Sequence, residues 1–151
     1  MNIWYKKYLS KDDLHAIGAA IGEAEKSTSG EIRVVVRHRK HWGEGKLQLH
    51  ELALKEFYKL GMEKTKERTG VMIMILFSTR QFHIVGDEGI HAKVPDGTWD
   101  SIAQQMTAHF KKGNYRDGID EAVAEVGKVL AANFPRSEKN TNELPDDVVE
   151  D

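Results

Sequence analysis

The segment VMIMILF, from Val71 to Phe77, decides the fold that this sequence predicts. It is apolar at every position and short, which is typical of a central β-strand covered on both faces. Residues 78 to 80 can turn the chain into a second predicted strand, from Gln81 to Gly86. The two strands therefore form an antiparallel hairpin, with the wholly apolar strand inside the sheet.

The flanking segments complete an α/β pattern. Glu31 to Arg37 alternates in a way that predicts a strand with one face packed and the other partly wet. Apolar residues at helical spacing predict four helices, within residues 10–27, 47–60, 99–110 and 117–134. The order α-β-α-β-β-α-α, with a right-handed parallel crossover, predicts a three-layer α/β/α sandwich with a small mixed central sheet. His91 to Val94 is a candidate for an extra strand.

Composition excludes several classes of function. The 151 residues include no cysteine, so disulfides, thiolate metal sites and cysteine nucleophiles are ruled out. The start lacks the apolar run of a signal peptide, and no segment approaches the roughly 20 apolar residues of a membrane helix. We therefore expect a cytoplasmic protein without direct membrane insertion.

Charge divides the chain into two parts. Residues 136 to 151 hold six acids and two bases, which leaves residues 1 to 135 with a net charge of only +2. That charge is too small for a nucleic-acid partner. We expect one domain over residues 1 to 135 and an acidic tail over residues 136 to 151, which is either flexible or folded back onto the domain.

Paired acids follow the predicted hairpin, in the stretch HIVGDEGIH. Parallel strands start at the same edge of a sheet, and an antiparallel third strand returns to that edge. The edge should therefore collect Glu31, Asp87 and Glu88, and nearby helix starts could add more acids. Such carboxylates repel one another without a positive charge, and Ca²⁺ accepts roughly six to eight oxygen ligands. The candidate metal ligands are Glu31, Asp87, Glu88, Asp96, Asp100 and Asp117.

Other readings of these polar residues stay open. Asp96 and Asp100 flank a predicted helix start, where carboxylates are favoured without any metal. His38 and His41 have a chelating spacing, but their loop also holds three bases, which would oppose a divalent ion. The tryptophans Trp4, Trp42 and Trp99 are expected in the core or at its rim.

An ordered set of segments resembles the TPM domain family, named after a thylakoid lumen protein, a photosystem repair protein and a modulator of a levamisole receptor. The set extends from Leu9 to Pro135 and includes Trp99; its segments are LSKDDLHAI, TSGEIRVVV, LGMEKTKERTGVMIMI, FHIVGDEGIH, GNYRDGI and ANFP. The resemblance implies an α/β/α sandwich. It also implies acid phosphatase activity, calcium binding at loops beside the sheet, or accessory roles on membrane complexes, which differ among members.

Motif positions carry over to individual residues. The SGE turn of the family falls on Ser29 to Glu31, and its GDxG turn falls on Gly86, Asp87 and Gly89. Thr69 departs from the asparagine that is common in the family before Gly70, which weakens any role of this side chain as a ligand.

Two functional hypotheses follow from these residues. The first is a module that binds Ca²⁺, or another divalent cation, and acts on an unknown protein partner in a membrane-associated complex. The second is a metal-assisted acid phosphatase for phosphate monoesters, in which Glu31 and Asp87 hold the metal and Arg33 or Arg37 contacts phosphate. No nucleophile motif is recognised, so enzymatic activity stays open and the binding module is favoured.

Overall fold

A computed structural model describes residues 8–95, 97–136 and 148–150. Five helices and four strands are assigned in these ranges. In chain order they are α1 (Lys11–Glu25), β1 (Glu31–Arg37), α2 (Leu49–Lys59), β2 (Gly70–Leu76), β3 (Gln81–Gly86), α3 (Glu88–His91), α4 (Thr98–Lys111), α5 (Tyr115–Asn133) and β4 (Val149–Glu150). The predicted order is confirmed, with α3 and β4 added to it.

The sheet is mixed and has the order β3-β2-β1-β4. β2 pairs in parallel with β1 and antiparallel with β3, so it is hydrogen-bonded on both sides. All seven of its residues are buried. The prediction of a central, doubly covered strand is therefore confirmed, because an apolar run of this kind would be costly at an exposed edge.

Helices cover both faces of the sheet. On one face, α1, α4 and α5 pack on alternate strand residues such as Ile32, Ile73 and Ile84. On the other face, α2 packs on the intervening residues, including Val35 and Met72. This arrangement is the predicted three-layer α/β/α sandwich.

Local signals in the sequence explain several element boundaries. Ser10 and Asp13 form a reciprocal capping box at the start of α1. Gly61 follows α2 with φ of +71°, the left-handed conformation that glycine adopts at helix ends.

Three expectations need correction. β1 is buried on both faces except at the partly exposed Arg33, because α2 covers the face expected to be wet. His91 to Val94 forms the end of α3 and a turn, since α3 begins directly after β3. The fourth strand comes instead from Val149 and Glu150, which pair with Val35 and Val36 of β1. Trp42 is fully exposed, whereas Trp99 packs against the core.

Among the helices of the described ranges, none is both long and apolar enough to cross a bilayer.

Candidate functional site

The candidate site lies where β1 and β2 begin and β3 ends, with Gly70 at its centre. Glu31 is opposite Gly70 in the parallel pair, and its backbone N–H donates to the Thr69 carbonyl at 3.2 Å. On the other side, the N–H of Asp87 donates to the Gly70 carbonyl at 3.0 Å. The structure therefore brings Glu31 and Asp87 to one edge of the sheet, with backbones two strand spacings, roughly 10 Å, apart.

A backbone oxygen lies over Gly70 on the α2 side. A Cβ atom on Gly70 would lie 2.8 Å from the Met62 carbonyl oxygen, so this position requires glycine. Glu31 and Arg33 are on the same face of β1, because the alternate residues Ile32 and Val34 pack in the opposite core. Gly70 therefore lies between Glu31 and Asp87 in the sheet, with the Met62 carbonyl oxygen over it.

Arg68 supplies the positive charge of the site. Its Nε donates to Oδ2 of Asp87 at 2.7 Å and its Nη2 donates to Oδ1 at 2.7 Å, a bidentate geometry that fixes both side chains. The hydrogen bonds with Asp87 raise the pKa of the Arg68 guanidinium above its ordinary value. Nη1 of Arg68 also lies 3.5 Å from the Glu88 carboxylate.

Asp87 caps a helix as well as pairing with Arg68. Its Oδ1 accepts a hydrogen bond from the Glu88 N–H at 2.8 Å, at the start of α3. Its carboxylate is nearly completely buried, whereas the Glu88 side chain is 77% exposed. The GDEG stretch is therefore a strand end followed by a capped turn of helix.

The second glycine of that stretch, Gly89, is required by a close backbone contact. Its N–H donates to the Arg68 carbonyl at 2.8 Å. A Cβ atom at this position would lie 2.2 Å from the Glu67 carbonyl oxygen and 2.7 Å from that of Arg68. Gly89 thus lets α3 pack on the backbone of Glu67 and Arg68, which places Arg68 beside Asp87.

Asp117 is not brought together with Asp87, and Asp100 lies at a helix start. Asp100 is exposed in the first turn of α4, where it favours the helix start. Asp117 is exposed in the first turn of α5. That turn begins at Tyr115, which packs against Phe77 beyond the far end of β2, so Asp117 lies at the opposite end of the sheet. Asp96 lies outside the described residues.

Sequence reasoning missed three residues of this edge. No local sequence pattern indicated that Arg68 belongs to the site, because its partner Asp87 is 19 positions away in the chain. Glu63 has a buried Oε2 atom without a hydrogen-bond partner. Glu25 is buried and accepts a hydrogen bond from the Ile32 N–H at 2.8 Å. An acid one helical turn after the buried Ile21 was the signal that could have identified Glu25.

The arrangement is an ion pair at the sheet edge, not a preformed metal cage. Within residues 8–95, 97–136 and 148–150, no three His, Asp or Glu side chains are grouped so as to hold a metal ion. Both oxygens of Asp87 accept hydrogen bonds from Arg68. A divalent cation at Asp87 would therefore have to displace the guanidinium.

Comparison with known proteins places this geometry in a family. Residues 3–129 match the model of the TPM domain. Among solved structures, the BA42 protein of the psychrophilic bacterium Bizionia argentinensis is 33% identical, with a TM-score of 0.86 over 95% of this chain and 96% of that chain. No curated protein matches significantly.

Two further structures resemble this one at lower identity. They are the N-terminal domain of a protein from P. gingivalis (24% identity, TM-score 0.67, 84% of this chain and 79% of that chain) and that of the cg2496 protein from Corynebacterium glutamicum (16% identity, TM-score 0.64, 88% and 81%). These two show the fold alone. Because the family model matches most of this chain, residues 3–129, the chain belongs to the TPM domain family.

Proposed function

We propose that this domain is a calcium-responsive interaction module, in which Ca²⁺ competes with Arg68 for the carboxylates at the sheet edge. The observation that carries the proposal is the buried Asp87 carboxylate, balanced by a single partly exposed arginine beside the exposed Glu88. An ion that takes Asp87 releases Arg68, so binding would be coupled to the backbone that leads into β2.

The chemistry of the edge suits a hard cation. Ca²⁺ binds carboxylate and backbone carbonyl oxygens in variable geometry, and the edge offers Asp87, Glu88 and the Met62 carbonyl, with Glu31 across Gly70. When Ca²⁺ replaces the Arg68 guanidinium at Asp87, the charge and the order of the edge change, but no covalent bond is made or broken. This suits a binding module better than an enzyme. We further propose an accessory role toward an unknown protein partner, on a membrane-associated complex, as membership of the TPM domain family suggests.

Thermal unfolding with Ca²⁺ or with EGTA tests the proposal. Ca²⁺ at a hundred times its dissociation constant should stabilise the native state by about 2.7 kcal/mol if the unfolded chain binds none. Asp87→Asn should remove most of this gain. Asp12→Asn is a matched control, because Asp12 is an exposed acid at the start of α1. A melting temperature that is independent of Ca²⁺ in the native protein contradicts the proposal.

Arg68→Gln gives a second, opposite expectation. With the competing guanidinium removed, this variant should bind Ca²⁺ more tightly than the native protein, although its calcium-free form should be less stable. Unchanged or weaker calcium binding in Arg68→Gln would show that the ion does not compete at Asp87.

The alternative function is a metal-assisted acid phosphatase for phosphate monoesters. Arg37 does not suit it, because this side chain is buried at the far end of β1 against Glu44 and Glu56. Arg33 favours it, since it lies two residues from Glu31 with its buried Nε atom lacking a hydrogen-bond partner. Metal-dependent hydrolysis of p-nitrophenyl phosphate that is lost in Asp87→Asn and Arg33→Gln would select this alternative.

A further inference from the structure

Exposed apolar side chains occur in the loop between β1 and α2 and on α2 itself. In the described ranges, the exposed large hydrophobic residues are Trp42 at 101%, Tyr58 at 55% and Leu54 at 43%. Trp42 lies in the loop between β1 and α2, residues 38–48, here called the Trp42 loop. Leu54 and Tyr58 are one helical turn apart on the outer side of α2. Tyr58 lies close enough to Arg68 to raise the pKa of that guanidinium, so the exposed side of α2 extends from the Trp42 loop toward the other end of the sheet.

The solvent side of the Trp42 loop is basic. Arg39 and Lys46 are exposed and Lys40 is partly exposed. Glu44, the only acid in residues 38–48, is buried and points inward. The next turn adds Arg80, because the Ser78 N–H donates to the His38 carbonyl at 2.7 Å and holds that turn against the loop.

The loop is held in a fixed shape by Glu44. This carboxylate accepts from Arg37 at 2.5 Å, from Lys55 at 2.9 Å and from the His41 N–H at 2.6 Å. Burial raises the pKa of Glu44, but these hydrogen bonds outweigh it and lower the pKa from 4.5 to about 2. The loop also contains two backbone turns, Glu44 N–H to His41 carbonyl and Leu47 N–H to Glu44 carbonyl. Trp42 is thus presented to solvent by an ordered loop.

We propose that the Trp42 loop is a peripheral docking surface for anionic lipid bilayers, with the indole of Trp42 at the level of the headgroups and the exposed Arg39 and Lys46 against lipid phosphates and carboxylates.

Three features favour a bilayer over an acidic protein. Tryptophan is enriched at membrane interfaces, where one end of the ring is apolar and the other is wet. The outer side of α2 continues the pattern, since each of the exposed Leu54 and Tyr58 is followed by an exposed lysine, as apolar and basic residues are combined on interfacial helices. One of these lysines, Lys55, also donates to Glu44 at 2.9 Å. The indole also projects completely from the surface, a geometry that suits insertion between headgroups.

Vesicle cosedimentation in EGTA tests the proposal without any contribution from calcium. The native chain should bind phosphatidylcholine vesicles that contain phosphatidylserine, and should not bind pure phosphatidylcholine vesicles. Trp42→Ala should weaken binding several-fold. Arg39→Ser with Lys46→Ser should weaken it by roughly fivefold per charge, from the usual contribution of a basic residue near an anionic surface.

A matched double variant controls for net charge. Lys26→Ser with Lys128→Ser removes the same number of charges from exposed side chains directly after α1 and on α5, and the binding of this variant should stay close to that of the native chain. Circular dichroism should show that all variants are folded, because every substituted side chain is exposed: Trp42, Arg39, Lys46, Lys26 and Lys128.

Quenching by brominated lipids tests the position of the indole. Brominated phosphatidylserine vesicles should quench the native fluorescence, and Trp42→Phe should lose most of that quenching although Trp4 and Trp99 remain. The proposal is overturned by absent binding, by equal binding to uncharged vesicles, or by equal losses in the two double variants. Binding to polyglutamate without binding to vesicles would assign the loop to an acidic protein instead.

Discussion

Gly89→Ala should destabilise the domain strongly, although alanine is the better helix former by about 1 kcal/mol and Gly89 lies within α3. The added Cβ would lie 2.2 Å from the Glu67 carbonyl oxygen and 2.7 Å from that of Arg68. Both obstacles are backbone atoms, so α3 and the segment before β2 must separate. We therefore expect a net loss of stability.

The magnitude follows from two contributions. Forced separation of packed backbone costs about 1 to 3 kcal/mol. The hydrogen bond from the Gly89 N–H to the Arg68 carbonyl, 2.8 Å long, contributes about 1 kcal/mol more. After subtraction of the gain in helix propensity, about 1 kcal/mol, a net loss of about 1 to 3 kcal/mol corresponds to a fall in melting temperature of roughly 2 to 12 °C for a domain of this size.

Thermal and urea denaturation of Gly89→Ala and Gly45→Ala measure this effect. Gly45 is the matched control, because an added Cβ meets nothing within 4 Å there, and its variant should stay within about 0.5 kcal/mol of the native chain. If Gly89→Ala matches the control or is stabilising, the close approach of α3 to Arg68 is refuted.

Three further predictions concern the rest of the fold. Ile73→Ala, at a completely buried position of β2, should cost about 2 to 5 kcal/mol in urea unfolding; a change within error would make β2 peripheral. The lowered pKa of Glu44 means that its contribution to stability is present above about pH 4.5 and is lost as the pH falls toward 2; Glu44→Gln should flatten this part of the stability profile, and an unaltered profile would contradict the buried ion pair. Ser10→Ala should cost about 1 kcal/mol through loss of the capping box, and calorimetry showing no change would refute that cap.

Much of the fold could be predicted because its signals are local. β3 matches its predicted bounds and β2 matches within one residue. An apolar run bounded by turn residues can be recognised as a strand from a few consecutive residues. The shared edge of Glu31 and Asp87 followed from strand direction alone. The predicted chain topology, rather than any sequence motif, thus indicated that these two residues share an edge.

The remaining features depend on contacts between distant residues. β4 has only two residues, and its pairing with β1 becomes possible once the sheet exists. Arg68 and Asp87 meet only because Gly89 lets α3 approach the segment before β2. Asp117 was placed wrongly at the edge, because the sequence does not show which end of α5 lies near β1. Trp42 was misplaced because an aromatic residue is buried in most contexts.

Calcium titration followed by amide chemical shifts tests the central claim most directly. The account predicts saturable shifts at Glu31, Arg68 and Asp87 to Gly89, with no change at Asp117, and loss of these shifts in Asp87→Asn. Shifts that are absent, or that occur at Asp117 instead, would contradict it and leave Arg68 and Asp87 as a structural ion pair.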